Sequence, residues 1–252
     1  MSTKPFLAVI IPSYNEQNNL KRGVLDQVVG YLKKQDYSWE IILSDDGSTD
    51  GTLTELKKFA QAHQNVKVLA NTHAGKGPTV KAGMLAAQAA WRLYTDFDQS
   101  TPLKEVKKLL RYVPDYDVIF GSREMIGAKR EKEPFYRHLM GRVWNIVVQA
   151  LAIPGMLDTQ CGFKMFSAEA TEKLFNALYV YSGEKKIKAA YTGAFDVELL
   201  YLANKFNYRI REVPIKWQHY QTERVNPVRD SLLMLRDILK IRKADLAGKY
   251  KA

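Results

Sequence analysis

The chain has 252 residues, 46% of them hydrophobic, with 38 Lys and Arg against 27 Asp and Glu for a formal charge of +11. That length and apolar content suit one domain with a sizeable core and exclude a disordered or fibrous chain. A lone cysteine, Cys161, excludes an internal disulfide and favours a reducing compartment. The positive balance favours phosphates, nucleic acid or an anionic lipid surface without choosing among them.

Met1 to Pro5 lead into no long apolar core of a secretion signal, so Phe6 to Ile11 is expected to be a first strand. Trp39 to Leu43, Val66 to Leu69, Arg92 to Thr95 and Val118 to Phe120 read as further strands, separated by helical patterns of crossover length. The fold class is therefore α/β, a mostly parallel central sheet flanked by helices. Glu133 to Ile153 reads as a long mixed aromatic and basic helix, Phe195 to Phe206 as a helix and Arg209 to Trp217 as a strand. Val143 to Leu157 is the most apolar longer stretch, but Asn145, Gln149, Pro154 and Gly155 interrupt it, and no transmembrane anchor is expected. Beyond Pro227, Leu232, Leu235, Ile238, Leu239 and Ile241 alternate with Arg236, Lys240, Arg242 and Lys243 as in a basic amphipathic helix. Residues 1–226 are expected to form the main domain and 227–252 a helix and tail belonging to it, with Ala247 to Ala252 frayed.

Parallel sheets of this kind collect ligands beyond the carboxyl ends of their strands. Three polar clusters fall there: Pro12-Ser13-Tyr14-Asn15-Glu16, Asp45-Asp46-Gly47-Ser48 and Asp96-Phe97-Asp98. Asp96 and Asp98 stand two apart at a strand end, where both carboxylates can share a hard divalent cation, although such pairs also occur on solvated loops. Ser48, Thr49 or Asp50 suffices as a helix cap; the paired Asp45 and Asp46 can also hydrogen-bond a base edge or a ribose, and Tyr14 either stacks or packs. The convergence of four aspartates argues against a nucleic-acid backbone as partner. Cys161 has no histidine nearby in sequence, and the four histidines show no metal-ligand spacing, so neither suggests other chemistry.

Taken together and in this order, the Pro-x-Tyr-Asn-Glu turn, the Asp-Asp-Gly-Ser turn and the Asp-x-Asp pair resemble the family 2 glycosyltransferases of the GT-A fold. The resemblance extends through Gly75-Lys76-Gly77 and Gly121-Ser122-Arg123 and covers most of the chain. It implies a nucleoside held by Pro12, Tyr14, Glu16 and Asp46, with Asp45 beside it, and Mg²⁺ or Mn²⁺ on Asp96 and Asp98. Gln99 follows as a neutral third ligand or a residue leading into a helix, and Lys76, Arg123 and Arg224 lie at the phosphates. Asp98, Arg123 and Arg224 are thus the expected catalytic groups.

Asp158-Thr159-Gln160-Cys161-Gly162-Phe163-Lys164 is similar to the dolichyl-phosphate β-glucosyltransferase branch, which implies a polyprenyl or dolichyl phosphate acceptor near Lys164 and Asp158. The implied reaction is inverting transfer of a sugar, glucose before others, from a nucleotide diphosphate sugar of the UDP-glucose or GDP-mannose type. Mannose or another sugar to the same lipid, or transfer to a non-lipid acceptor, are the alternatives. A phosphate acceptor is already anionic near neutral pH, so Asp158 and Asp196 need not act as a base. Peripheral contact with the cytoplasmic face of a membrane is expected from the helix around Phe135, Tyr136, Leu139, Trp144 and Ile146, joined by the C-terminal helix.

Overall fold

A computed structural model describes residues 4–131, 135–182, 193–220 and 227–251. The chain opens with β1 (Leu7–Ser13), α1 (Gln17–Lys21), α2 (Val24–Leu32), β2 (Trp39–Asp45), α3 (Thr52–Gln61), β3 (Val66–Ala70), α4 (Lys76–Ala86) and β4 (Trp91–Thr95). It continues through a short 3₁₀ turn, α5 (Val106–Leu110), β5 (Val118–Ser122), β6 (Lys129–Glu131), α6 (Phe135–Leu151), β7 (Phe163–Ser167) and α7 (Ala168–Ala177). The last elements are α8 (Phe195–Lys205), β8 (Ile210–Pro214), β9 (Lys216–Gln218) and α9 (Pro227–Leu246).

The main sheet runs β3-β2-β1-β4-β7-β5-β8, and β6 pairs β9 apart from it. β7 is antiparallel to both neighbours and every other pair in the main sheet is parallel, so β1, β2, β4 and β5 all end at one edge, where β7 begins. Both faces of β1 are covered: Leu7, Val9 and Ile11 pack with α2, α3 and α5, while Ala8 and Ile10 pack with α4, α7 and α8. The period of two along a strand gives each layer alternate residues, and coverage on both faces is what a parallel sheet needs.

One close approach matters for the site. A Cβ on Gly83 would lie 2.6 Å from Ile10 Cγ2, so α4 rests directly on β1 and carries Lys76, its first residue, to the strand ends.

Two expectations change. The single strand over Arg209 to Trp217 is two, β8 and β9, because Ile215, whose N–H still donates to Ser122 O of β5, accepts the N–H of Lys129 and passes the chain to β6. The tail is docked rather than frayed at Tyr250, which is buried and donates its hydroxyl to Glu198 Oε1 at 2.7 Å. The same carboxylate accepts the N–H groups of Tyr179, Val180 and Tyr181, tying that segment and the tail to α8. α9 sends Ile238, Ile241 and Ala244 into the core.

Candidate active site

The first two turns at the shared edge are laced together by side chains. Asn15, with φ of 54°, donates its N–H to Ser48 Oγ at 2.9 Å and accepts Thr49 N–H on Oδ1 at 2.8 Å. Glu16 N–H donates to Thr52 Oγ1, and the Glu16 carboxylate accepts from Asn19 at 2.5 Å. Asp45 is fully buried and accepts from Ser13 Oγ, Ser48 N–H and Ser48 Oγ at 3.1, 2.9 and 2.6 Å. Asp46 accepts from Ala74 N–H at 2.8 Å, Gly75 N–H at 3.0 Å and the His73 ring at 2.9 Å. Both carboxylates therefore hold loops, and the ring beside Asp46 stacks on Tyr14 with centroids 4.3 Å apart. Pro12 sits one residue before the end of β1, in register with Ser44.

Asp96 and Asp98 follow β4 on this edge, as the sequence suggests. Burial and then the Asp96 charge raise the Asp98 carboxyl above the ordinary range, against two bonds from Ser100 that favour the charged form, at 2.8 Å each. Lys76 Nζ lies 2.5 Å from Asp96 Oδ1. Desolvation would lower the Lys76 pKa, but the surrounding charges of Asp96, Asp196 and Asp98 outweigh it and hold the ammonium above its usual value. The pair of carboxylates thus makes a site that wants a cation. Gln99 adopts φ of 52°, an uncommon conformation for this residue. Its amide nitrogen donates to Asp96 O at 3.0 Å, while its buried Oε1 has no partner among the described residues. An orphaned oxygen on the residue that follows Asp98 suits a hard cation. No group of three or more His, Cys, Asp or Glu side chains is assembled for a metal among the described residues.

Arg123 continues from β5 at the same edge. Its Nε and Nη2 clasp Asp158 at 2.7 and 2.8 Å, its backbone N–H reaches the same carboxylate at 2.8 Å, and its guanidinium lies 5.4 Å over the Trp217 ring. Burial would raise the Asp158 pKa, but Arg123 pulls it below the ordinary carboxylate range. Lys164 stands differently from the expectation of direct acceptor contact: its ammonium is fully buried on β7, 2.6 Å from Asp196 Oδ1 and bonded to Cys161 O. Asp196 also accepts the Tyr94 hydroxyl. The Cys161 thiol is pushed up to about 12 by burial, then by the Asp158 charge, which keeps it an inert core group. Arg224 lies outside the described residues.

A model of the family described as "Glycosyl transferase family 2" matches residues 8–175, which span every cluster above from β1 to β7. The chain belongs to glycosyl transferase family 2. This family 2 chain is 33% identical to a dolichyl-phosphate beta-glucosyltransferase of Dictyostelium discoideum, over 98% of this chain and 76% of that protein. It is 32% identical to the human protein of the same name, over 97% and 77%. Among solved structures, it resembles glucosyl-3-phosphoglycerate synthase from Mycobacterium tuberculosis in complex with Mn²⁺, UDP and glucosyl-3-phosphoglycerate, with a TM-score of 0.63, 15% identity, and coverage of 98% of this chain and 80% of that one. A mannosyltransferase from Pyrobaculum calidifontis in complex with GDP-Man and Mn²⁺ follows with a TM-score of 0.56, 17% identity and coverage of 98% and 75%. Those likenesses establish the GT-A fold, and the family makes the chain a glycosyltransferase.

Several residues that shape this edge of the family 2 chain escape sequence reasoning. A Cβ on Gly162 would stand 2.2 Å from Asp96 Oδ2, so only glycine lets that carboxylate lie against the start of β7. Tyr94 and Ser100 hold Asp196 and Asp98 respectively, and His73 joins Asp46 to Tyr14. Serine two residues after an aspartate was the only local signal among these, since it fits an Asx turn.

Asp98→Asn is expected to lose turnover by roughly 10²-fold or more and yet melt higher than the wild type at pH 7 in chelator. The sign follows from the raised pKa: the native state keeps at pH 7 a charge that burial and Asp96 oppose. As pH falls through the raised value the wild-type carboxyl takes up its proton and the difference in Tm closes. A variant that melts lower at pH 7 and keeps its turnover would overturn this reading of Asp98.

Proposed function

We propose that this glycosyltransferase transfers glucose, with inversion, from a UDP-glucose type donor to a polyprenyl or dolichyl phosphate at the cytoplasmic face of a membrane. Relatives named dolichyl-phosphate beta-glucosyltransferase, matched over 98% and 97% of this chain, support the acceptor and the sugar. The observation that carries the reading is chemical. Asp158 and Asp196, the two candidates for a base, are each engaged in an ion pair, with Arg123 and Lys164. Among the described residues these two carboxylates are held by cations, which suits an acceptor that arrives ionised, as a phosphate monoester does.

An oxygen of the lipid phosphate bonds to the anomeric carbon as the bond from that carbon to the diphosphate breaks. Both electrons leave with the nucleoside diphosphate. A bound Mg²⁺ or Mn²⁺ would supply Lewis-acid stabilisation of that leaving group, and Asp96, Asp98 and Gln99 Oε1 are the oxygens that would hold it. Lys76 offsets the Asp96 charge before donor arrives and is placed to contact the diphosphate afterwards. Arg123, fixed in direction by Asp158 and Trp217, brings a prearranged positive charge to the same edge, where two anions must be held together. Pro12, Tyr14 and Glu16 line the nucleoside end. Lys164 acts from below by fixing Asp196 rather than by touching the acceptor, and Arg224 remains a candidate for the phosphates.

Membrane contact draws on α6 and α9, which pack together and leave Ile146 and Leu232 each 64% exposed. Arg142, Arg236, Lys240 and Lys243 are neighbours in sequence on these helices, a mixture typical of interfacial helices. No helix among the described residues is long and apolar enough to cross a membrane. Residues 227–252 count as part of the same domain on this reading, since α9 is built into the core.

The test is transfer from labelled UDP-glucose and GDP-mannose to a short polyprenyl phosphate with Mg²⁺ or Mn²⁺. Lipid-extractable label from UDP-glucose, abolished by chelator, is the expected result; label from GDP-mannose alone would overturn the sugar, and label in no lipid would overturn the acceptor. In flotation with anionic vesicles, Ile146→Glu combined with Leu232→Glu is expected to lower the bound fraction by at least about tenfold. Unchanged flotation would take these helices off the membrane.

A further inference from the structure

We propose that Glu212, on β8, is a positioning residue for transfer: it supports both ends of the Arg123–Asp158 clasp and so sets the direction from which the guanidinium meets the phosphates. The proposal rests on the reading of Arg123 under Proposed function and extends it to a residue that acts only through Arg123.

A carboxylate is out of keeping with the face on which Glu212 stands. Side chains alternate along a strand. Val213 enters the layer of α2, α3 and α5, so Glu212 shares the opposite face with Ile210, which packs against the layer holding Val148 and Ile153. Its register partner on β5, Phe120, is fully buried in that same layer. A charged group in such surroundings needs hydrogen-bond donors. Oε2 accepts Leu157 N–H at 2.9 Å across 55 residues of chain. Burial raises the carboxyl above the ordinary glutamate range, while the Ser122 hydroxyl and the N–H groups of Leu157 and Asp158 oppose that rise by favouring the charged form.

These donors flank the clasp on both sides. Ser122 is the last residue of β5 and directly precedes Arg123; Leu157 directly precedes Asp158. Asp158 lies between α6 and β7, in neither helix nor strand, so its aim at Arg123 is only as fixed as that connection. Arg123 ends three bonds on Asp158, from its backbone N–H, Nε and Nη2 at 2.8, 2.7 and 2.8 Å, and any shift of the connection carries the guanidinium with it. Glu212 fastens the connection to β8, the strand beside β5, one residue before the clasp. On the other side, Ser122 Oγ accepts Glu124 N–H and Met125 N–H at 3.2 and 3.3 Å, which shapes the turn that carries Arg123. A prearranged charge is sensitive to such support, since displacement by about 1 Å costs on the order of 10²-fold in rate.

The test is a double-mutant cycle on transfer from UDP-glucose to a short polyprenyl phosphate, using wild type, Glu212→Ala, Arg123→Ala and the double variant, each shown to be folded by its melting curve. Glu212→Ala is expected to lower kcat by roughly 10- to 100-fold, yet to cost less than about twofold more once Arg123 is already alanine. Glu212→Gln, which keeps an oxygen for Leu157 N–H, should recover kcat to within about threefold of wild type. Losses that multiply in the double variant would make Glu212 a general support of the fold and overturn the proposal. So would a loss as deep in Glu212→Gln as in Glu212→Ala, or full kcat in a folded Glu212→Ala. If Glu212→Ala does not fold, Glu212→Asp, which withdraws the carboxylate by one methylene, takes its place in the cycle and is judged the same way. Those results leave the reading of Arg123 standing, whereas full kcat in Arg123→Ala, or no transfer by wild type, removes that reading and the proposal with it.

Discussion

Two carboxylates that repel one another, Asp96 and Asp98, set the requirement that the rest of this edge satisfies. Burial and mutual charge make the ionised pair costly, as the raised Asp98 carboxyl records. The chain answers with one ammonium, Lys76, delivered by a helix that lies directly on β1, and with a glycine, Gly162, against which Asp96 can rest. One positive charge against two negative ones leaves the pair short of balance. A strained Gln99 with an orphaned oxygen is consistent with a site that is complete only when loaded.

Around that pair, other acidic residues are used for construction. Asp45 and Asp46 fasten the turns after β1, β2 and β3 to one another, Asp158 aims Arg123, and Asp196 is held by Lys164 and Tyr94. Buried ion pairs of this kind are weak sources of net stability, because desolvation offsets most of their attraction, yet removing one partner is costly. Their use here is positional. Each fixes a loop or a cation at the edge where the parallel strands end, and none leaves a carboxylate ready to take a proton from a hydroxyl acceptor.

Much of this was legible from residue patterns. The strands β1, β2, β4 and β5 were readable because parallel strands covered on both faces are short apolar runs, and their direction placed the acidic clusters at one edge. What escaped depends on partners far apart in the chain. Lys164 is expected at the acceptor, and its burial follows only from Asp196, 32 residues away. His73 looks incidental until Asp46, 27 residues earlier, takes its ring hydrogen. The antiparallel β7 gives no local sign of its direction. α7 was recoverable, since Ser167 caps it by accepting Ala170 N–H and Glu169 sits in its first turn, the ordinary signature of a helix start.

Manganese uptake, followed by electron paramagnetic resonance with and without UDP, tests the central claim most directly. Wild type is expected to bind one Mn²⁺ tightly only when UDP is present, because Asp96, Asp98 and Gln99 Oε1 alone leave the coordination incomplete, and Asp96→Asn and Asp98→Asn should each abolish that uptake. Undiminished Mn²⁺ binding in either variant would contradict the account, since the cation would then be held somewhere other than the end of β4.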